Sequence, residues 1–352
     1  MSKSRRYSIV GLCALLLIVL ITWYFSRATP VAVPPAIAHG YSKALKQAHN
    51  GEPGAARVLY QQLARPDLSD ERRAALHAEL PNYPSPQALK LADKDLANES
   101  PRVREAAIRS IVGLVPTGQR TLLLGPLLED AEQSVRFAAA NALLGLSPDT
   151  LGLYFGPLQQ VLDEFVKTLK AQPETAESWI QLARLYIHSA LLPEAQNALE
   201  QAMRLQPDNL QAVVAQIELL DKQGKTDESR QLLARQLAAH PESAYLQHAL
   251  GMWLLHHGER PYALLGLSKA VELEPDNQDY RYDLATTLHA QQELEAAQRQ
   301  LEEIIQRHPA NRKARVLLVN YWKESGQLQN VQVLLAQLEQ QNPDDPALQQ
   351  GL

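Results

Sequence analysis

Apolar residues recur at helical spacing through the C-terminal half of the chain, in short stretches separated by polar turns. In one such stretch Leu182, Ala183 and Tyr186 share one face of a helix, because residues three and four positions apart lie side by side. Proline lacks the amide hydrogen that a helix interior requires and therefore marks a helix end. Prolines recur here at a constant interval of 34 residues: Pro173, Pro207, Pro241, Pro275, Pro309 and Pro343. The pattern predicts an array of paired helices with a 34-residue period.

Five units fit this period, at residues 176–209, 210–243, 244–277, 278–311 and 312–345. The first unit has large and small residues in a distinctive order: Trp179, Leu182, Ala183, Tyr186, Ala195, Leu199, Ala202 and Pro207. This order resembles the tetratricopeptide repeat (TPR), a helix-turn-helix unit. The resemblance implies an all-α protein in which residues 157–352 form an α-solenoid, with an incomplete unit before residue 176.

Two of the five units depart from the family pattern. The departures are Gln216, Ile217, Ser229 and Gln236 in the second unit, and Val319 and Val331 in the fifth. Both units keep a glycine turn and the terminal proline, so we expect the fold to persist there with altered packing angles.

The C-terminal end of the array is expected to be uncovered. The chain beyond Pro343 is too short for the long polar helix that usually closes such arrays. We therefore expect Leu334, Leu335 and Leu338 to have little cover and to offer a contact surface to a partner or to a second copy of the chain.

A different repeat precedes the array, at residues 85–150. The sequence Val103-Arg104-Glu105-Ala106-Ala107 matches Val135-Arg136-Phe137-Ala138-Ala139 at a spacing of 32 residues. These two segments resemble HEAT repeats, and the resemblance implies an ion pair between Asp130 and Arg136. Arg104 and Arg136 are interpreted as structural residues that tie a turn to a helix, with ligand contact as the alternative.

Residues 26–84 are predicted to form a stalk followed by degenerate helical hairpins. Pro30, Pro34 and Pro35 favour an extended stalk. Helical periodicity then predicts helices at residues 41–49, 55–63 and 70–79.

An uncharged apolar run of 19 residues lies at residues 7–25. As a helix it is about 28 Å long, against a hydrocarbon core of roughly 30 Å. Basic residues at positions 3, 5 and 6 precede it, so the positive-inside rule predicts a single-pass anchor with residues 1–6 in the cytoplasm. In a Gram-negative cell the remaining chain would lie in the periplasm, attached to the inner membrane. A cleaved signal peptide with an Ala36-Ile37-Ala38 site is the alternative.

Composition excludes several function classes. The 352 residues carry a net charge of −5 with mixed signs, which gives no basic face for nucleic acid. Cys13 is the single cysteine, so the chain has no cysteine-based zinc site, covalent haem site or internal disulfide. Nucleophile-elbow, Walker, dinucleotide and HExxH motifs are missing from the sequence. We therefore predict a non-enzymatic protein without cofactor or metal.

The remaining candidate site is the concave face of the array. In the TPR family, ligands usually lie along the first helices of successive units. Carried over residue by residue, that face is predicted to show Arg184, His188, Glu218, Lys222, Tyr245, His248, Met252, His256, Tyr282, His289 and Asn320. Tyrosine, methionine and arginine are common interface anchors, and a mixed groove suits a peptide or a helix. The alternative interpretation is an ordinary solvated surface. The lysine and asparagine set with which chaperone-binding members hold a C-terminal carboxylate is absent.

The leading hypothesis is a non-catalytic, membrane-anchored scaffold or adaptor that binds protein partners in the cell envelope. Two narrower hypotheses stay open. One is an accessory or assembly factor for a respiratory or c-type cytochrome complex, because certain multihaem cytochromes end in HEAT-like and TPR-like units. The other is a docking platform for enzymes of envelope biogenesis or secretion.

Overall fold

The structure is a computed structural model, and it describes residues 40–171 and 175–349. Every described helix belongs to one compact unit, Tyr41–Leu352. The predicted anchor at residues 7–25 lies outside the described residues, as do the signal-peptide alternative and the stalk. Among the helices that are described, none is sufficiently long and apolar to span a bilayer.

The described residues contain α-helices, three short 3-10 helices and no strand, so the predicted all-α class is confirmed. The first nine α-helices precede the 34-residue array. They are α1 (Tyr41–His49), α2 (Ala55–Leu63), α3 (Asp70–Glu79), α4 (Pro86–Asp95), α5 (Pro101–Leu114), α6 (Thr117–Leu124), α7 (Gln133–Leu143), α8 (Pro148–Leu151) and α9 (Phe155–Ala171).

Five helix pairs then follow the predicted period. They are α10 (Ala176–His188) with α11 (Leu192–Leu205), α12 (Leu210–Lys222) with α13 (Thr226–Ala239), α14 (Ala244–His256) with α15 (Arg260–Leu273), α16 (Gln278–Ala290) with α17 (Leu294–Arg307), and α18 (Arg312–Glu324) with α19 (Leu328–Gln341). A short helix, α20 (Pro346–Gln349), follows α19. Each first helix begins at the first residue of a predicted unit.

A capping residue explains why each first helix begins where it does. Two residues after each repeat proline stands a serine, threonine or asparagine whose side chain accepts a hydrogen bond from an amide of the first helical turn: Thr175, Asn209, Ser243, Asn277 and Asn311. Such caps satisfy amide hydrogens that have no partner inside the helix. The proline therefore ends one helix and the cap starts the next, which fixes the register of the array.

Two equivalent arginines tie the middle segment together. Arg104 on α5 donates to the carbonyl oxygen of Asn98 (2.7 Å) and to the carboxylate of Asp130 (2.8 Å). Arg136 on α7 donates to the carbonyl oxygen of Asp130 (2.7 Å) and to the carboxylate of Glu164 (3.0 Å). The prediction of an ion pair between Asp130 and Arg136 is therefore wrong, because the Asp130 carboxylate pairs with Arg104 of the preceding unit. The structural interpretation of both arginines is confirmed.

The first hairpin of the described chain packs against the last repeat unit. The amide of Gly54 donates to the carbonyl oxygen of Gln340 (2.7 Å), and the side chain of Gln341 donates to the carbonyl oxygen of Gly51. Asn342, which is 2% exposed, donates from Nδ2 to the carbonyl oxygen of Pro84 (2.7 Å). We call this contact between residues 51–84 and residues 309–342 the seam.

The expectation of an uncovered C-terminal end is wrong. Leu334 and Leu338 are 4% and 3% exposed, and Leu335 is partly buried. Asp345 is buried as well and holds Arg312 through two hydrogen bonds of 2.6 and 2.7 Å. The prediction of self-association through this end rested on exposed leucines, and the burial of these leucines removes the argument for it.

Candidate protein-binding groove

A cavity of about 610 Å³ lies between α12 and α14, the first helices of the second and third units. Its lining is mostly apolar and includes six of the residues predicted for the concave face. The lining residues are Val214, Ile217, Glu218, Asp221, Lys222, Tyr245, His248, Ala249, Met252, Trp253 and His256. Met252 is 41% exposed, so a long thioether side chain stands at the open side of the cavity. We call this cavity the groove.

The end of the groove is held by a polar cluster around Asp221. The Asp221 carboxylate accepts from the Ser229 hydroxyl (2.8 Å) and from the Trp253 indole (3.3 Å), and it lies 2.9 Å from Nε2 of His257. The Trp253 indole also donates to the Ser229 oxygen at 3.0 Å. This cluster joins the second unit to the third and fixes the indole ring against the groove. Ser229, a departure from the family pattern, is therefore explained by its hydrogen bonds.

Two of the predicted histidines have a structural role at the junctions between units. Nε2 of His248 lies 2.8 Å from Asp283 of the next unit, and its ring stacks on Tyr280 with a centroid distance of 4.5 Å. His289 lies 2.5 Å from Glu324 and stacks on the ring of Tyr321 at 3.9 Å. Nε2 of each imidazole is therefore engaged within the array, and we assign both histidines to the cohesion of successive first helices.

The charged residues at the groove rim have no such partners. Within the described residues, the side chains of Glu218 and Lys222 make no ion pair or hydrogen bond, although they lie one turn apart on α12. Burial raises the pKa of Tyr245, while Arg184 lowers it and Glu218 raises it further. Both charges therefore lie close enough to the Tyr245 hydroxyl to act on it.

The other predicted residues lie apart from the groove. Arg184 lines a separate cavity of about 450 Å³ beside Phe165 and Leu185. The ammonium group of Lys313 lies 3.7 Å from the ring centroid of Tyr282, a cation–π contact. His188 is exposed and Asn320 is half-buried, and neither forms a polar contact with the described residues. The structure thus brings together the predicted residues of the second and third units.

Sequence reasoning missed Asp221, Trp253 and Ile217 as groove residues. Trp253 lies next to the family position that Met252 occupies, and Asp221 stands beside Lys222; neither was among the residues predicted for the concave face. The one signal available was Ser229, a polar residue at a position that normally takes alanine, which requires a hydrogen-bond partner inside the array.

A buried chain of hydrogen bonds joins Asp95, His77 and Ser110, with distances of 2.9 Å on both sides of the imidazole. The connectivity is that of a serine nucleophile with its base, but Ser110 is 0% exposed and also donates to a backbone carbonyl. Arg73 neutralises the Asp95 carboxylate at 3.0 Å. The cluster therefore ties α3, α4 and α5 together. No group of three or more metal-ligating side chains occurs in the described ranges.

Solved structures with similar helical arrays share little sequence with this chain. YrrB, described as a TPR protein with an unusual peptide-binding site, is 19% identical with a TM-score of 0.37 and covers 54% of this chain and 98% of its own. MamA is 15% identical with a TM-score of 0.38, and the match covers 47% of this chain and 91% of MamA. The protein pilF of Pseudomonas aeruginosa is 18% identical with a TM-score of 0.38, and the match covers 56% of this chain and 89% of pilF.

A curated relative and two family profiles complete the comparison. The protein y4yS of Sinorhizobium fredii (strain NBRC 101917 / NGR234), which is described as uncharacterized, is 29% identical over 101 residues, or 29% of this chain. The match spans 56% of the length of that relative. Residues 191–252 and residues 263–333 each match a family profile described as tetratricopeptide repeat. The chain therefore contains tetratricopeptide repeats.

Proposed function

We propose that this protein is a non-catalytic scaffold that binds a segment of a partner protein in the groove between α12 and α14. Tetratricopeptide repeats are protein-interaction scaffolds, and the observation that carries the proposal is the groove itself. Its floor of Ile217, Ala249 and Trp253 is apolar, and its volume of about 610 Å³ accommodates one or two large side chains.

The polar groups of the groove define how a partner would be held. Asp221 and His248 are already engaged, so they hold the walls in place. Glu218, Lys222 and the Tyr245 hydroxyl are available at the rim. An apolar side chain of the partner would fill the cavity and supply most of the affinity, while hydrogen bonds to these rim groups would set its orientation.

Photo-crosslinking inside cells tests this proposal. A photoreactive residue in place of Met252 should crosslink a reproducible partner. The matched control is Tyr262, which is 61% exposed on the second helix of the same unit and does not line the groove. The crosslink at position 252 should disappear when Ala249→Trp fills the cavity. Equal crosslinking from positions 252 and 262, or persistence after Ala249→Trp, would overturn the proposal.

The cellular location is a further part of the proposal. We infer that residues 7–25 anchor the chain in the inner membrane with residues 1–6 in the cytoplasm, so that the array lies in the periplasm. The uncharged run and the basic residues before it support this orientation. A topology reporter fused after Leu352 tests it, and activity of a cytoplasm-specific reporter would contradict it.

We also propose that residues 85–150 are HEAT-like units. The supporting observation is the matched geometry of Arg104 and Arg136, each of which binds a carbonyl oxygen of its own turn and a carboxylate of the following unit. Exchange of either arginine for methionine should therefore loosen the junction to the next unit, which hydrogen–deuterium exchange of α7 or α9 would show.

A further inference from the structure

A second cavity lies on the side of the array formed by the second helices, between α17, α18 and α19. Its volume is about 460 Å³. The lining residues are Glu302, Ile305, Gln306, Leu318, Trp322, Asn330, Val333, Leu334 and Gln337. We call it the outer groove. It shares no lining residue with the groove between α12 and α14.

An exposed apolar residue marks the outer groove. Val333 is 55% exposed at its edge. The equivalent residue of three other units is polar or charged, as expected for a solvated helix face: Asn197, Gln231 and Arg299. The third unit has Leu265 at this position, but Leu265 lines none of the described cavities. Valine at position 333 therefore extends the apolar floor of Ile305, Leu318 and Leu334 out to the surface.

The lining of the outer groove carries one formal charge, and that charge is negative. Glu302 is the one ionisable side chain in its lining, and no cation of the described residues lies within ion-pair distance of it. Arg299 is engaged with Glu295 and Arg307 with Glu303 and Asp276. Burial raises the pKa of Glu302 and the positive charge of Arg299 lowers it, while the Glu302 side chain as a whole is exposed.

An aromatic ring lies in the same cavity. Trp322 lines the outer groove, and its indole nitrogen is buried without a hydrogen-bond partner among the described residues. Trp322 and Glu302 line the same cavity, and an aromatic ring and a carboxylate each attract a cation. A lysine or arginine side chain also has an aliphatic stem that packs on apolar surface while its charged end stays near water.

We propose that the outer groove binds a basic segment of a partner protein, with a lysine or arginine side chain whose stem packs between Ile305 and Val333 and whose charge meets Glu302. Charge complementarity favours a basic segment, because an acidic residue of the partner at the outer groove would lie next to the negative charge of Glu302. The array would then have two separate docking surfaces, the groove for an apolar side chain and the outer groove for a basic one.

Disulfide tethering tests the chemistry of the outer groove directly. Cys13 is the only cysteine, so Gln337→Cys in a Cys13→Ser background gives the full-length chain one thiol, at the cavity lining. Three disulfide fragments of equal length are compared: one ends in an ammonium group, one in a methyl group and one in a carboxylate. The readout is the concentration of reducing thiol that releases half of each fragment.

The ammonium fragment should resist reduction about two- to fivefold better than the carboxylate fragment, the range that one partly exposed ion pair supplies. Glu302→Gln should abolish the difference, and Glu302→Lys should reverse it. The matched control is Glu303→Gln, which removes the neighbouring carboxylate that faces Arg307 and does not line the cavity. The proposal would be overturned if all fragments were retained equally or if the carboxylate fragment were retained best. It would also be overturned if Glu303→Gln had the same effect as Glu302→Gln.

Discussion

The seam between the first hairpin and the last repeat unit predicts a large difference between two neighbouring glycine substitutions. Gly51 and Gly54 both adopt positive φ, at 62° and 74°. A Cβ atom on Gly51 would lie 2.7 Å from the carbonyl oxygen of Pro309, and such an approach to backbone requires the seam to move. A Cβ atom on Gly54 would meet nothing closer than 3.8 Å. Gly54→Ala is therefore the matched control for Gly51→Ala.

The expected magnitudes follow from these distances. Either alanine costs about 1–2 kcal/mol, because an L-residue in the left-handed region brings Cβ close to the following carbonyl. Gly51→Ala should cost about 1–3 kcal/mol more, the usual penalty for added volume at a closely packed site. If the seam opens to relieve the overlap, the buried hydrogen bond from Asn342 to Pro84 is lost in the same event.

Hydrogen–deuterium exchange of the full-length protein is the most direct assay, since a repeat array need not unfold in one step. Gly51→Ala should raise exchange in the last turns of α19, some 290 residues away in sequence, whereas Gly54→Ala should leave them protected. Asn342→Ala alone should cost about 1–3 kcal/mol and should add little to Gly51→Ala. Equal free energies of unfolding for the two alanine variants, with unchanged exchange in α19, would refute the closed seam.

Three further predictions concern single residues. Gln292 adopts a φ of +64°, so Gln292→Gly should raise the free energy of unfolding by about 1 kcal/mol in urea titrations, and a loss would contradict the left-handed turn. Ser229→Ala removes a hydrogen bond to Asp221 and should lower the free energy of unfolding by about 1–3 kcal/mol, whereas an unchanged midpoint would show that the cluster is dispensable. Burial would raise the pKa of Asp95, but hydrogen bonds from His77 and the adjacent arginine outweigh burial, and the pKa is lowered. The ionised Asp95 therefore stabilises the folded state at pH values above its unfolded pKa of about 3.9. This contribution to the free energy of unfolding is lost as the pH falls from that value through the lower folded pKa. Asp95→Asn should therefore flatten the acid limb of the stability curve, and an unaltered limb would exclude Asp95 as its source.

The local sequence determined the helices of this protein and their register. Helix ends depend on backbone chemistry within a few residues, so Pro309 and the cap at Asn311 locate one boundary without any tertiary contact. The same periodicity assigned Tyr245 and Met252 to one face of α14, because side chains that share a helix face are set by 3.6 residues per turn. The all-α architecture and the repeat period therefore follow from the local sequence.

Tertiary structure alone decided which of these faces are occupied. The seam joins Gly51 to Gln341 across 290 residues, and no local pattern encodes it, because it depends on the sum of small packing angles over the whole array. The role of His248 was decided in the same way, since its sequence position placed it on the concave face and only the neighbouring helix supplied Asp283 as its partner. Periodicity fixes the direction in which a side chain leaves its helix, whereas contacts with distant helices decide whether it remains available to another molecule.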